Sequence, residues 1–256
     1  MNGLKSIIFS KIIIVLGCFY HLWYYTLMLV GIISLSPWLY FSSRKSQYFP
    51  KFYGYARLWS AWILNGMFLS RKIKREAEIQ WDRPYVVVSN HASELDVMLC
   101  YQLVESPTVF IGKKELSNIP LFGFFFRRSS IIVDRKSLAS KKKVMELSAL
   151  HLQNGRGMCI YPEGEIPDGQ NVLLGEFKHG AFKLAIENNI DILPITFANN
   201  REHLPDFFKG GRPGTIHATI HKPISVKGLT KSDTKPLSDK VHSVLLNELN
   251  FYRKIL

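Results

Sequence analysis

Between Ile12 and Ser43 the chain carries no Asp, Glu, Lys or Arg, and Ile12–Tyr40 is almost continuously apolar. As one helix, about 29 residues at 1.5 Å each reach roughly 43 Å, against a bilayer hydrocarbon core of about 30 Å. That is more than one straight span needs. Gly31 and Pro37 offer places to bend, and His21 with Tyr20, Trp23, Tyr24 and Tyr25 suits a membrane interface. A second apolar stretch, Phe52–Leu69, carries Arg57 and Asn65, and its Tyr55, Trp59 and Trp62 fall on one helical face. Such a face fits a helix lying in the headgroup zone. Basic residues flank both stretches: Lys5 and Lys11 before, Arg44, Lys45 and Lys51 between, Arg71, Lys72, Lys74 and Arg75 after. By itself this charge pattern does not fix the orientation, and it is compatible with both ends on the cytoplasmic side. The expectation is a membrane-embedded helical pair, with a clean single span as the alternative, at the cell membrane with the rest of the chain cytoplasmic. A cleaved export signal is the competing reading, since Lys5 and Lys11 precede an apolar run. That run continues roughly twenty residues beyond Cys18, longer than a signal's apolar region.

The remainder is long enough for one α/β domain in a chain of 256 residues. A net charge of +13 implies an anionic partner: nucleic acid, a membrane surface or a phosphorylated substrate. Cys18, Cys100 and Cys159 lie far apart without metal-ligand spacing, which predicts reduced thiols, the latter two in the core.

Strand and helix signals alternate after residue 80. Candidate strands are Tyr85–Ser89, Thr108–Ile111, Ser130–Val133, Gly157–Tyr161, Ile192–Phe197 and Thr215–His221. Helical patterns cover Asp96–Val104, Leu138–Gln153 and Phe177–Asn188, with Asn154-Gly155 as a stop and Ser238–Leu256 as a closing amphipathic helix. The expected fold class is α/β, a mixed, mostly parallel sheet flanked by helices. The expected division is a membrane-associated segment, residues 1–74, and a catalytic domain, residues 75–256.

Asn90-His91-Ala92-Ser93-Glu94-Leu95-Asp96 follows the first of these strands, where a rigid scaffold presents reactive groups. Histidine accepts a proton near neutral pH, and a carboxylate five residues on, past a tight turn, can fix its tautomer. Neither a serine nor a cysteine beside His91 looks like a nucleophile, so the base would act on a substrate hydroxyl. The competing reading makes Ser93 and Asp96 a helix capping box.

Further blocks follow in order: Lys113-Lys114-Glu115-Leu116, Ile119-Pro120-Leu121-Phe122-Gly123, Ser130–Arg135, Tyr161-Pro162-Glu163-Gly164, Phe177-Lys178-His179-Gly180-Ala181 and Ile192-Leu193-Pro194-Ile195. In this order and spacing the chain resembles the glycerolipid acyltransferase family over about residues 75–228. The resemblance implies acyl transfer from a thioester on coenzyme A or acyl carrier protein to the hydroxyl of a lysophospholipid, with no cofactor and no metal. It gives His91 and Asp96 the same roles as the residues do by themselves. A phosphorylated acceptor calls for converging cations, and Lys113, Arg135 and Lys178 are the candidates. Gly164 permits close backbone approach to an anion, and Glu163 would hold that loop.

One position departs from the family pattern. Its commonest third block reads Pro-Glu-Gly-Thr-Arg, but Glu165 and Ile166 follow Gly164 here. The usual phosphate-holding arginine is absent, Lys178 or Arg135 would compensate, and Glu165 should point outward. Glycerol 3-phosphate or a lyso-aminolipid is an alternative acceptor, and a catalytically silent lipid-binding protein is the alternative outside enzymes. Arg135, Lys136, Lys141, Lys142 and Lys143 form a basic cluster expected to face anionic membrane lipid. No nucleic-acid motif accompanies it. His151, His179, His203, His217 and His221 lack metal-ligand spacing and read as structural or surface groups.

Overall fold

The computed structural model describes residues 2–166 and 172–256, with side chains from Ile13 onward. The chain opens with two helices, α1 (Asn2–Ser42) and α2 (Phe49–Gly66). Then come β1 (Leu69–Arg75), β2 (Val86–Ser89), α3 (Leu95–Leu103), β3 (Thr108–Lys113), α4 (Phe122–Ser129), β4 (Ser130–Val133) and α5 (Leu138–Gln153). The last elements are β5 (Gly157–Ile160), α6 (Gly180–Asn188), β6 (Ile192–Phe197), α7 (Asn200–His203), β7 (Gly214–Ile220) and α8 (Thr234–Ile255). Among the described residues one sheet of seven strands runs in the order β1-β7-β6-β2-β5-β3-β4. Only the β6–β7 pair is antiparallel. The mixed, mostly parallel sheet is therefore the observed architecture.

β2 lies at the centre between β5 and β6, and Val86, Val87 and Val88 are fully buried. A strand covered on both faces keeps no polar alternation, which is why this one reads as a continuous β-branched run. Helix α5 has its expected bounds: the Ser137 side chain caps it by accepting from the Ser140 N–H, and Gly155 beyond it sits at φ +71°. Helix α6 starts three residues later than its sequence pattern. The Lys178 N–H is used instead by the Pro162 carbonyl at 2.9 Å, holding residues 177–179 against the Tyr161–Gly164 turn.

The sheet begins earlier than expected. Leu69–Arg75 pairs in parallel with β7 along seven residues, so the boundary expected between residues 74 and 75 falls inside a strand. The basic residues Arg71, Lys72, Lys74 and Arg75, read as a membrane flank, decorate this edge strand. Charges on an edge discourage pairing with another chain.

Among the described residues one segment, Ile13–Ser42 of α1, is long and apolar enough to cross a membrane. The helix continues through Gly31 and Pro37 rather than bending into two elements. Pro37 cannot donate to the Ile33 carbonyl, and the Ser36 hydroxyl supplies that hydrogen bond at 2.8 Å. Helix α2 packs along α1, and its aromatic face differs from expectation. Trp59 is buried and Trp62 half exposed, and their indole N–H groups donate to the α1 carbonyls of Met28 (3.1 Å) and Leu27 (3.2 Å). Gly31 makes room for both rings, since a Cβ there would lie 2.7 Å from Trp59 Cδ1 and 3.0 Å from Trp62 Cδ1. These tryptophans join the two helices through their indole N–H groups.

Candidate active site

The sheet delivers His91 just beyond the end of β2. Its Nδ1 lies 2.9 Å from Asp96 Oδ2. Asp96, in the first turn of α3, is fully buried, and the same oxygen accepts the backbone N–H groups of Ala92 (2.6 Å) and Ser93 (2.8 Å). Its other oxygen, Oδ1, accepts from the Asn200 side-chain amide at 2.8 Å. The two sequence readings of this motif coexist: Asp96 does take the Ser93 N–H as a capping residue would, and it also orients the imidazole. The Ser93 hydroxyl donates to the Leu204 carbonyl (2.7 Å), which fixes the turn to the segment after α7.

Tyr161 completes the seat. Its ring stacks on the His91 imidazole, centroids 4.1 Å apart and planes 17° apart. Among the described residues its buried hydroxyl has no nitrogen or oxygen hydrogen-bond partner, and burial pushes that group's pKa well above the usual tyrosine value. Glu163 lies behind the turn, almost fully buried, accepting the N–H groups of His91 (2.8 Å) and Gly175 (2.7 Å). Burial raises the Glu163 pKa, and those two hydrogen bonds oppose the rise.

His91 faces a cavity of about 440 Å³. Its lining includes four cations, Lys113, Arg135, Lys141 and Lys178, together with Gly164. Gly164 has φ +84°, and a Cβ there would lie 2.3 Å from Lys178 Nζ, so the lysine lies directly over the glycine turn. Apolar side chains supply most of the remaining wall, among them Leu39 of α1, Phe52 and Trp59 of α2, Tyr101 of α3, Phe110 of β3 and Phe125 of α4. Five expected site residues thus share one cavity (His91, Lys113, Arg135, Gly164 and Lys178), while Asp96 and Glu163 stand behind it.

The basic cluster divides differently from expectation. Arg135 and Lys141 line this cavity instead of belonging wholly to an outward, lipid-facing patch. Glu165 is exposed, as its charge requires. Ile166 sits elsewhere, in a smaller cavity of about 230 Å³ with Tyr25, Glu94 and Asp206. Sequence reasoning did not single out Asn200, Tyr161 as the ring under His91, or the α1–α2 wall. Asn200 is 104 residues from its partner, and the wall depends on how two helices pack on a distant sheet. Cys100 and Cys159 are buried free thiols, Sγ atoms 3.5 Å apart, as expected of core cysteines.

The geometry defines a class: α/β proteins that present a carboxylate-oriented histidine at a strand end, over a cavity lined by cations and apolar side chains. The chain belongs to the acyltransferase family, whose sequence model matches residues 70–198. It is 33% identical over 171 residues to the mouse 1-acyl-sn-glycerol-3-phosphate acyltransferase alpha, covering 64% of this chain and 58% of that protein. Over 169 residues it is 26% identical to the 1-acyl-sn-glycerol-3-phosphate acyltransferase of Saccharomyces cerevisiae, covering 65% of this chain and 56% of the yeast protein. The chain thus spans just over half the length of these two relatives. The fold is that of the 1-acyl-sn-glycerophosphate acyltransferase PlsC from Thermotoga maritima, with a TM-score of 0.76, 22% identity and coverage of 96% and 97% of the two chains.

Proposed function

We propose that this chain is a membrane-bound 1-acylglycerol-3-phosphate acyltransferase, which moves a fatty acyl group from a thioester to lysophosphatidic acid and yields phosphatidic acid. The observation that carries the reading is the His91–Asp96 pair opening onto a single cavity lined by both cations and apolar side chains. Such a cavity suits a substrate with a phosphate at one end and an alkyl chain at the other. Family membership and the named relatives support the same reaction.

In this reading His91 Nε2 takes the proton of the acceptor hydroxyl as its oxygen attacks the thioester carbonyl. The tetrahedral intermediate then expels the thiolate, which receives that proton from the imidazolium. Asp96 holds the Nδ1–H tautomer and faces the positive charge that develops on the ring. Its grip is firm because four donors converge on its two oxygens. Glu163 sets the register between the His91 turn and the Gly164 turn. Lys113, Arg135 and Lys178 receive the acceptor phosphate, and Lys141 adds a fourth cation to the same cavity. The acyl chain lies against the apolar side chains.

We further propose that α1 and α2 form the membrane part and that the sheet with its other helices forms the catalytic part, facing the cytoplasm at the cell membrane. Donor and acceptor choice are settled by assaying the purified chain in detergent against lysophosphatidic acid, glycerol 3-phosphate and a lyso-aminolipid. Each is paired with acyl-coenzyme A and with acyl carrier protein. The reading expects lysophosphatidic acid to be used best with at least one donor. Faster acylation of an acceptor lacking a phosphomonoester would contradict it.

A further inference from the structure

Helix α1 is not the only apolar surface on its side of the molecule. The segment after α7, Leu204–Arg212, lies along α1, and several contacts lock the two together. Both ring nitrogens of the buried His21 meet carbonyl oxygens, Nδ1 that of Gly17 at 2.9 Å and Nε2 that of Pro205 at 2.8 Å. The Phe207 ring packs on the His21 ring, centroids 5.1 Å apart. Gly17 lets the backbones touch, since a Cβ there would lie 2.3 Å from Gly210 Cα. Beside these contacts the outer face of α1 exposes Leu16, Phe19 and Leu22.

The tip of this segment presents Phe208, which is 73% exposed with its ring against Phe207 at 5.1 Å. Phe68, also 73% exposed, precedes β1, where its carbonyl accepts the Gly214 N–H at 3.3 Å. Two phenylalanines left that open in water forfeit most of their burial energy, and together with α1 they exceed the scattered apolar residues normal on a soluble surface. Lys209 and Arg212 follow Phe208 and pair with Asp206 and Glu202, so the tip carries charges of both signs beside the open ring.

We infer that Phe208 inserts into the phospholipid bilayer as a second membrane contact, made by the catalytic part itself. The occupant is lipid because the patch is continuous with the apolar face of α1, which rests on the membrane reading above. The contact bears directly on the site. The same short stretch holds Leu204, whose carbonyl anchors the Ser93 hydroxyl, and follows Asn200, which binds Asp96. A bilayer that seats Phe208 therefore also seats the support of the catalytic pair.

The test uses the full chain reconstituted in phosphatidylcholine–phosphatidylglycerol vesicles. An environment-sensitive fluorophore is placed on Phe208→Cys, and separately on Phe19→Cys, in a Cys18→Ser background where Cys100 and Cys159 remain buried. Both labels should be quenched by nitroxides on lipid acyl chains and shielded from aqueous iodide. A label at 19 quenched by lipid while that at 208 answers only to iodide would overturn the inference and leave the membrane reading standing. Neither label reaching lipid would overturn both. Phe208→Ser, which touches no site residue, should raise the KM for vesicle-borne acceptor about tenfold. The KM for detergent-dispersed acceptor should be unchanged. Equal KM values on vesicles for the two proteins, or an equal rise in detergent, would count against the inference.

Discussion

Asp96→Asn should give a folded protein that has lost most of its turnover, and the hydrogen bonds around Asp96 say why both halves hold. The amide oxygen can stay where Oδ2 is now and keep the donors from His91, Ala92 and Ser93. The new NH2 then faces the Asn200 amide, a clash of donors. Asn200 Oδ1 is buried and has no partner among the described residues, so a half-turn of that amide presents an acceptor and mends the contact. The folding cost is then the difference between charge-assisted and neutral hydrogen bonds, about 1–2 kcal/mol. Asp96→Ala, by contrast, strands four donors and should cost several kcal/mol. Catalysis loses more than folding does, because the carboxylate faces an imidazolium in the transition state. At a charge separation of about 4 Å and an effective dielectric of about 20, that attraction is about 4 kcal/mol, or nearly three decades in rate. Circular dichroism and thermal melting check the fold, and a coenzyme A release assay measures turnover. A well-folded Asp96→Asn retaining a tenth or more of wild-type kcat would refute the electrostatic role. Severe unfolding would refute the Asn200 repair.

Lys113→Ala, Arg135→Ala and Lys178→Ala should each raise the KM for lysophosphatidic acid about tenfold, from charge-assisted bonds to phosphate. An acyl carrier protein donor keeps coenzyme A phosphates out of that comparison, and an equal loss toward acceptors without phosphate would reassign these residues to the fold. Gly31→Val should destabilise the helical pair by about 1–3 kcal/mol or more, because its side chain would collide with Trp59 and Trp62. An unchanged melting temperature in detergent would contradict that packing. Glu163 has its folded pKa raised by burial, so it favours the folded state fully below the ordinary glutamate value and loses that contribution as pH rises through the folded one. Stability measured across mildly acidic pH should therefore fall less steeply with rising pH in Glu163→Gln than in the wild type, and identical slopes would remove Glu163 as the cause.

The sequence carried the central fold because its strands are buried on both faces. Ser130–Val133 and Ile192–Phe197 have the bounds their β-branched runs suggest. It failed at β1, whose Leu69-Ser-Arg-Lys-Ile-Lys-Arg pattern is an edge strand with charge on its exposed positions and reads equally well as a basic flank. Helix α4 was hidden too. Its eight residues are too few to show a repeating pattern, and Leu121 before it sits at φ +61°. At the site, the His91–Asp96 spacing was legible because five residues and one turn fix the contact locally. Asn200, Tyr161 and the apolar wall from α1 and α2 come from long-range packing, which no local pattern encodes. Trp59 illustrates the limit, since its period on α2 was visible but its partner, the Gly31 notch of α1, was not.

The most direct measurement is acyl transfer by purified His91→Ala protein, folded as judged by its melting temperature and supplied with saturating thioester and lysophosphatidic acid. With the base removed and Asp96 left to its backbone and Asn200 donors, turnover should fall by roughly a hundred- to ten-thousand-fold, with KM much less affected. Near-normal turnover from a folded His91→Ala protein would contradict the account at its centre.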